Sequence, residues 1–273
     1  MRIRGERSII QKTRDLFRGL LGGVAFETTL PVRSRDEDFW KFADRFFLFP
    51  VVGALLGSLF GILALSLSFL SSIIGAGLFL IALYLFGGII HADGLADFAD
   101  GLAAGGSRER RYEIMKDEKT GAAGLVSLVV TNLLVFSAFS DLLSLNGLWA
   151  IFVIVASAEV ISKETMLFVT CLGESPHEGM GATFISRSTY LDLAWGTTFA
   201  GGLIYLFSGL YGLIPLALAP VIGLTAIRLG RWVIGGVNGD VIGASGELVR
   251  PLALILFVAL HRIGLLEVPW PIV

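Results

Sequence analysis

His91-Ala92-Asp93-Gly94-Leu95-Ala96-Asp97-Phe98-Ala99-Asp100-Gly101 follows directly on an apolar run that ends at Ile90. At about 100° per helical residue, Asp93, Asp97 and Asp100 fall within roughly 60° of one another. Like charges on one narrow face repel, and a divalent cation relieves that repulsion. Oxygen-only donors suit Mg²⁺ or Mn²⁺, and the lack of neighbouring cysteine argues against zinc. His91 points about 160° away from the acids, with Leu95, Phe98 and Leu102, and makes a poor ligand unless Gly94 breaks the helix.

Outward from this stretch the chain is apolar. Hydrophobic residues make up 55% and charged residues 16%, and mean hydropathy is +0.79. Soluble domains run near 45–50% and about 25%. These values predict an all-α, polytopic integral membrane bundle forming a single domain over residues 1–273. The one cysteine, Cys171, excludes an internal disulfide. Nothing matches a nucleic-acid-binding signature, and no repeat is present.

Seven spans are expected, within a range of six to eight: Phe46–Leu70, Ile73–Ile90, Ala122–Ser140, Leu148–Leu172, Leu193–Phe207, Leu213–Ala226 and Leu252–Leu266. Gly53, Gly57 and Gly61 recur every four residues in the first, a stripe that lets another helix approach closely. Residues 1–45 hold 10 of the 21 Lys and Arg, spaced between apolar positions such as Phe17, Leu20 and Val24. Such a lead-in lies on an anionic leaflet or packs on the core as an ordinary amphipathic helix. The loops 91–120, 173–192 and 230–250 carry Lys and Arg, whereas the opposite turns at 71–72, 141–147 and 208–212 carry none. The amino terminus and those three loops are therefore expected in the cytoplasm. Arg262 is the exception. Trp270 is an expected interfacial anchor.

The chemistry gathers on the same side. Glu113 and Asp117 lie at i, i+4 beside Lys116, offering acidic and cationic groups to a metal-bound diphosphate. A solvated, internally paired helix is the plain alternative. Gly235 to Glu247 reads as a glycine-rich loop whose backbone N–H groups can turn inward as an anion nest, with Asp240 a candidate further acid; Gly239, Asp240 and Gly243 are the candidate cofactor-binding residues. Glu159, Lys163 and Glu164 sit inside the fourth span and must pair or line a polar cavity, since an isolated mid-bilayer charge costs about 2.5–3.5 kcal/mol.

The run His91 to Gly101, then Glu113-Ile114-Met115-Lys116-Asp117, Gly121 and Gly124, resembles the signature of the cobalamin synthase family. Leu30-Pro31-Val32, Glu178-Gly179-Met180-Gly181, and Gly239-Asp240 with Gly243 and Ala244 extend the likeness over most of the chain. Two positions depart: Asn238 stands where threonine is expected, and Ser162-Lys163 where an arginine-containing stretch is expected. The resemblance implies a Mg²⁺-dependent transferase of a prokaryotic plasma membrane, working at the cytoplasmic side. It would join adenosylcobinamide-GDP to α-ribazole or its 5′-phosphate and release GMP, with other cobalamin-assembly enzymes as candidate partners. On that basis Asp93, Asp97 and Asp100 are expected to hold the metal. Lys116 would stabilise developing charge, and Glu113 or Asp117 would orient or deprotonate the acceptor. A CDP-alcohol phosphotransferase and a cation-coupled transporter are the competing assignments.

Overall fold

The computed structural model describes residues 9–145 and 147–266, so Trp270 and the first basic residues lie outside it. Every regular element among the described residues is helical, as composition predicts. The amino-terminal pair is α1 (Ile9–Glu27) and α2 (Asp36–Ala43), joined by Lys41–Asp15 and Arg18–Asp38 ion pairs at 3.0 and 3.7 Å. Leu20 and Val24 of α1 pack on the core, and Glu27 at its end is buried.

A 3-10 turn leads into α3 (Phe49–Leu67), followed by α4 (Ser72–Gly87) and α5 (Ile90–Ala103). The chain turns by 98° between α4 and α5. Gly88 makes the turn at φ +73, a left-handed conformation that a side chain would strain. The exposed carbonyls at the end of α4 need donors. Thr29 supplies them, its N–H donating to Phe86 O at 3.0 Å and its hydroxyl to Leu85 O. The Thr28-Thr29 break after α1 thus fixes the direction in which α5 leaves the bundle.

The chain continues through α6 (Arg108–Met115), α7 (Ala122–Leu143), α8 (Leu148–Leu172), α9 (Met180–Arg187), α10 (Tyr190–Ser208), α11 (Leu218–Ile234) and α12 (Gly239–Arg262). The central helix is α8, against which α3, α10, α11 and α12 all pack. The glycine stripe explains the closest of these contacts. A Cβ on Gly53 or Gly57 would come within 2.8 Å of Glu159 O or 2.6 Å of Ala156 O, so only hydrogen fits between α3 and α8.

Among the described residues, four stretches are long and apolar enough to cross a membrane: Phe46–Leu67, Ala122–Leu143, Tyr211–Ile234 and Gly239–Arg262. The bent α4–α5 pair makes a fifth if counted as one broken span. Helix α8 has the expected limits, yet its Glu159, Lys163 and Glu164 keep it off that set. All three are buried and partnered. Glu159 meets Arg250 at 2.6 Å, Lys163 pairs with Glu27, and Glu164 accepts the Thr197 hydroxyl at 2.5 Å. Arg262 is also accounted for, since it pairs with Asp141 where α12 and α7 end together.

The last expected loop is the main departure. Helix α12 begins at Gly239, not near Leu252, because Asn238 caps it by accepting Val241 N–H at 3.1 Å. Gly243 and Gly246 are therefore helical positions at which α12 closes on its neighbours. A Cβ on Gly243 would sit 3.2 Å from His91 Cα, and one on Gly246 2.6 Å from Met166 Sδ.

Candidate active site

Helix α5 presents its acids as the period requires, but the three do not act together. Asp93 is exposed and Asp97 half-buried. Asp100 turns to α7, accepting Gly121 N–H at 2.7 Å and Gly124 N–H at 2.8 Å. Its carboxylate thereby caps a helix whose N-cap residue is Gly121 and which has no side-chain cap of its own. Among the described residues, no three Asp, Glu, His or Cys side chains stand close enough to enclose a metal. The expected Asp93–Asp97–Asp100 cluster is thus reduced to Asp93 and Asp97, one turn apart. Asp100→Ala is expected to lower stability by about 1 kcal/mol through the lost cap, a change read from the melting temperature.

A third acid arrives from α12. Gly94 lets this happen, since a Cβ there would stand 2.9 Å from Asp240 Cα, and so α5 runs unbroken past the start of α12. Burial and the charges of Asp240 and Asp93 push the Asp97 carboxyl up to about 6, against the opposing pull of Lys116. Asp240 Oδ2 receives Lys116 Nζ at 3.2 Å and Asn238 Nδ2 at 2.7 Å. Burial works against the Lys116 charge, but Asp240 outweighs it and holds the ammonium above its ordinary range. The result is a compact set of Asp93, Asp97, Asp240 and Lys116, drawn from α5, α12 and the end of α6.

Lys116, Asn238, Gly239 and Asp240 stand in the wall of a cavity of about 250 Å³. Phe26, Phe46, Phe49, Phe184, Met166 and Ile242 form its apolar part. The Glu178-Gly179-Met180-Gly181 stretch closes one side, with Gly181 so near Gly239 that a Cβ would collide with its backbone. His91 also lines the cavity, reaching Glu27 through Nε2 at 2.9 Å. Its position opposite the aspartates was legible from the helical period, whereas its partner, 64 residues earlier, carried no sequence signal. His177, of the 173–192 loop, lines the cavity as well. It stacks on Tyr112 with ring centroids 3.7 Å apart, joining the 173–179 loop to α6.

Two expected site residues lie elsewhere. Glu113 is exposed and outside the cavity wall, and Asp117 is exposed and accepts Lys119 N–H at 3.0 Å within its own turn. The α6 register explains this, since it directs Tyr112 and Lys116 inward and leaves Glu113 and Asp117 on the outer side. Gly239 and Asp240 line the cavity. Gly243 serves helix packing instead.

The profile of the family described as Cobalamin-5-phosphate synthase matches residues 19–258. A protein of Methanocella arvoryzae named adenosylcobinamide-GDP ribazoletransferase is 37% identical over 260 residues, covering 88% of this chain and 95% of its own. Proteins of the same name from Thermococcus kodakarensis and Halorubrum lacusprofundi are 37% and 36% identical. They cover 85% and 86% of this chain, and 95% and 94% of their own length. No solved structure matches.

Proposed function

The chain belongs to the Cobalamin-5-phosphate synthase family and is a transferase of cobalamin biosynthesis, and from that premise we propose its reaction. A hydroxyl of α-ribazole, or of its 5′-phosphate, attacks the β-phosphorus of adenosylcobinamide-GDP. A new P–O bond forms to the acceptor, the bond to the bridging oxygen breaks, and GMP departs with that oxygen. The observation that carries this assignment is the Lys116–Asp240 pair at the cavity wall, with Asp97 close enough to feel both charges.

Mg²⁺ fits the donor set without an all-protein cage, because this ion commonly takes one or two carboxylates and completes its shell with water and substrate phosphate. Asp93 and Asp97 would hold it, neutralising diphosphate charge. Lys116 lies against the transferring phosphoryl group and stabilises charge that grows as GMP leaves. Asp240 aims that ammonium and is the carboxylate placed to take the acceptor's proton, displacing Glu113 and Asp117 from the role. Lys116→Met is expected to lower kcat by about 10²–10³-fold with little change in folding, measured as GMP release.

The bilayer orientation is part of the same proposal. The basic loops put α5, α6 and the α11–α12 junction at the cytoplasmic edge of a prokaryotic plasma membrane. Transport has less support, because Glu159 and Lys163 are each held by a protein partner, Arg250 and Glu27. The test is GMP release from adenosylcobinamide-GDP and α-ribazole by the full chain in lipid nanodiscs. Acceptor-dependent, Mg²⁺-dependent release supports the assignment; no release with either acceptor form overturns it.

A further inference from the structure

Resting on the reaction just proposed, we infer that the apolar part of the cavity is the subsite for the flat aromatic base of the acceptor nucleoside. Its 250 Å³ is below the roughly 300–1,000 Å³ of pockets that enclose whole drug-sized ligands. It has room for one planar group and none for a corrin macrocycle. The wall is carbon-rich: Phe184 stands against Phe46 and Phe26 at centroid distances of 4.7 and 5.3 Å, and Met166 belongs to the same wall. Such a surface gains from burying an aromatic ring and loses from burying unpaired polar atoms.

That difference separates the two bases present in the reaction. Guanine carries an amide and an amino group along its edges, and each needs a partner. Two hydroxyls on the apolar side of this wall already donate to backbone, Thr170 to Met166 O at 2.7 Å and Ser175 to His177 O at 2.8 Å. One side-chain atom in the wall residues is buried without a partner, His177 Nε2. A benzimidazole-type base, joined to its sugar through one ring nitrogen, has a single acceptor left in the other. With its proton on Nε2, His177 would offer one donor to the one acceptor of such a ring. The ribose then points to Asn238, Asp240 and Lys116, which brings its hydroxyl to the phosphoryl group.

The test uses the full chain in nanodiscs with two variants. Ala182→Trp fills the cavity from a half-exposed position on the short helix α9. His177→Phe keeps the ring stacked on Tyr112 and removes the nitrogen. Equilibrium binding of radiolabelled α-ribazole is measured alone, and KM for each substrate is measured by GMP release. The expected result is at least tenfold weaker α-ribazole binding in Ala182→Trp and several-fold weaker binding in His177→Phe. KM for adenosylcobinamide-GDP should be unchanged in both. A nucleoside of the same sugar bearing adenine should bind the wild type weakly and respond little to His177→Phe. A rise in KM for adenosylcobinamide-GDP alone would give the cavity to guanine and overturn the inference. So would unchanged α-ribazole binding in both variants, or no α-ribazole binding by the wild type. If α-ribazole binds and is lost in Ala182→Trp while no GMP is released, the subsite stands and the proposed reaction falls.

Discussion

Asp97→Asn is expected to reduce GMP release by about 10³-fold, the scale at which loss of one charge-stabilising group is felt in phosphoryl transfer. The same substitution should stabilise the protein in the absence of divalent metal. Asp97 is held up to about 6 by burial and by Asp240 and Asp93, above the ordinary carboxylate value of 3.8. A carboxyl raised on folding favours the folded state below its unfolded pKa. That benefit disappears as pH climbs from about 4 through about 6. At pH 7 the folded chain bears the full repulsion, and Asn removes it. For a group this open to solvent, screening reduces the gain to about 1 kcal/mol, or about 2–4 °C in melting temperature. Activity lost together with stability gained is the mark of a charge kept for function. A variant that loses both would make Asp97 a structural residue.

The largest stability effect is expected at the buried ion pairs. Glu27, with no side-chain exposure, holds both Lys163 and His91, and so ties α1 to α8 and α5. Lys163→Met strips Glu27 of its cation. Breaking one side of a buried pair typically costs about 3–5 kcal/mol, because the remaining charge has no compensation. Glu27→Gln leaves Lys163 in the same condition and is expected to cost as much. The double variant Glu27→Gln/Lys163→Met should be far less damaging than the sum, since both charges leave together. Melting temperatures of the four proteins in one lipid composition give the coupling, and strict additivity would contradict the arrangement. The Glu27 variants should also lower kcat/KM, because His91 stands in the cavity wall.

The bundle was largely legible in the sequence because hydropathy and glycine spacing are local. Leu148–Leu172 appears with its expected limits, and the Gly53–Gly57–Gly61 stripe faces a helix as its spacing requires. The site was legible only in part. Helical period placed Asp93, Asp97 and Asp100 on one face, but nothing local revealed that the bare amino terminus of α7 would claim Asp100. Glycine content suggested a loop from Gly235 to Glu247. In a tightly packed helical bundle the same residues mark close approach, and there Gly243 and Gly246 belong. The Lys116–Asp240 pair spans 124 residues and follows from the crossing of α5 and α12, beyond the reach of any spacing rule.

The paired acids of α5, Asp93 and Asp97, are expected to grip a divalent ion against the substrate diphosphate. Mn²⁺ binding, measured by paramagnetic resonance on the nanodisc protein with adenosylcobinamide-GDP present, tests it most directly. One saturable population is expected in the wild type, kept in Asp100→Ala and abolished in Asp93→Asn/Asp97→Asn. Equal Mn²⁺ binding by wild type and the double variant would contradict it.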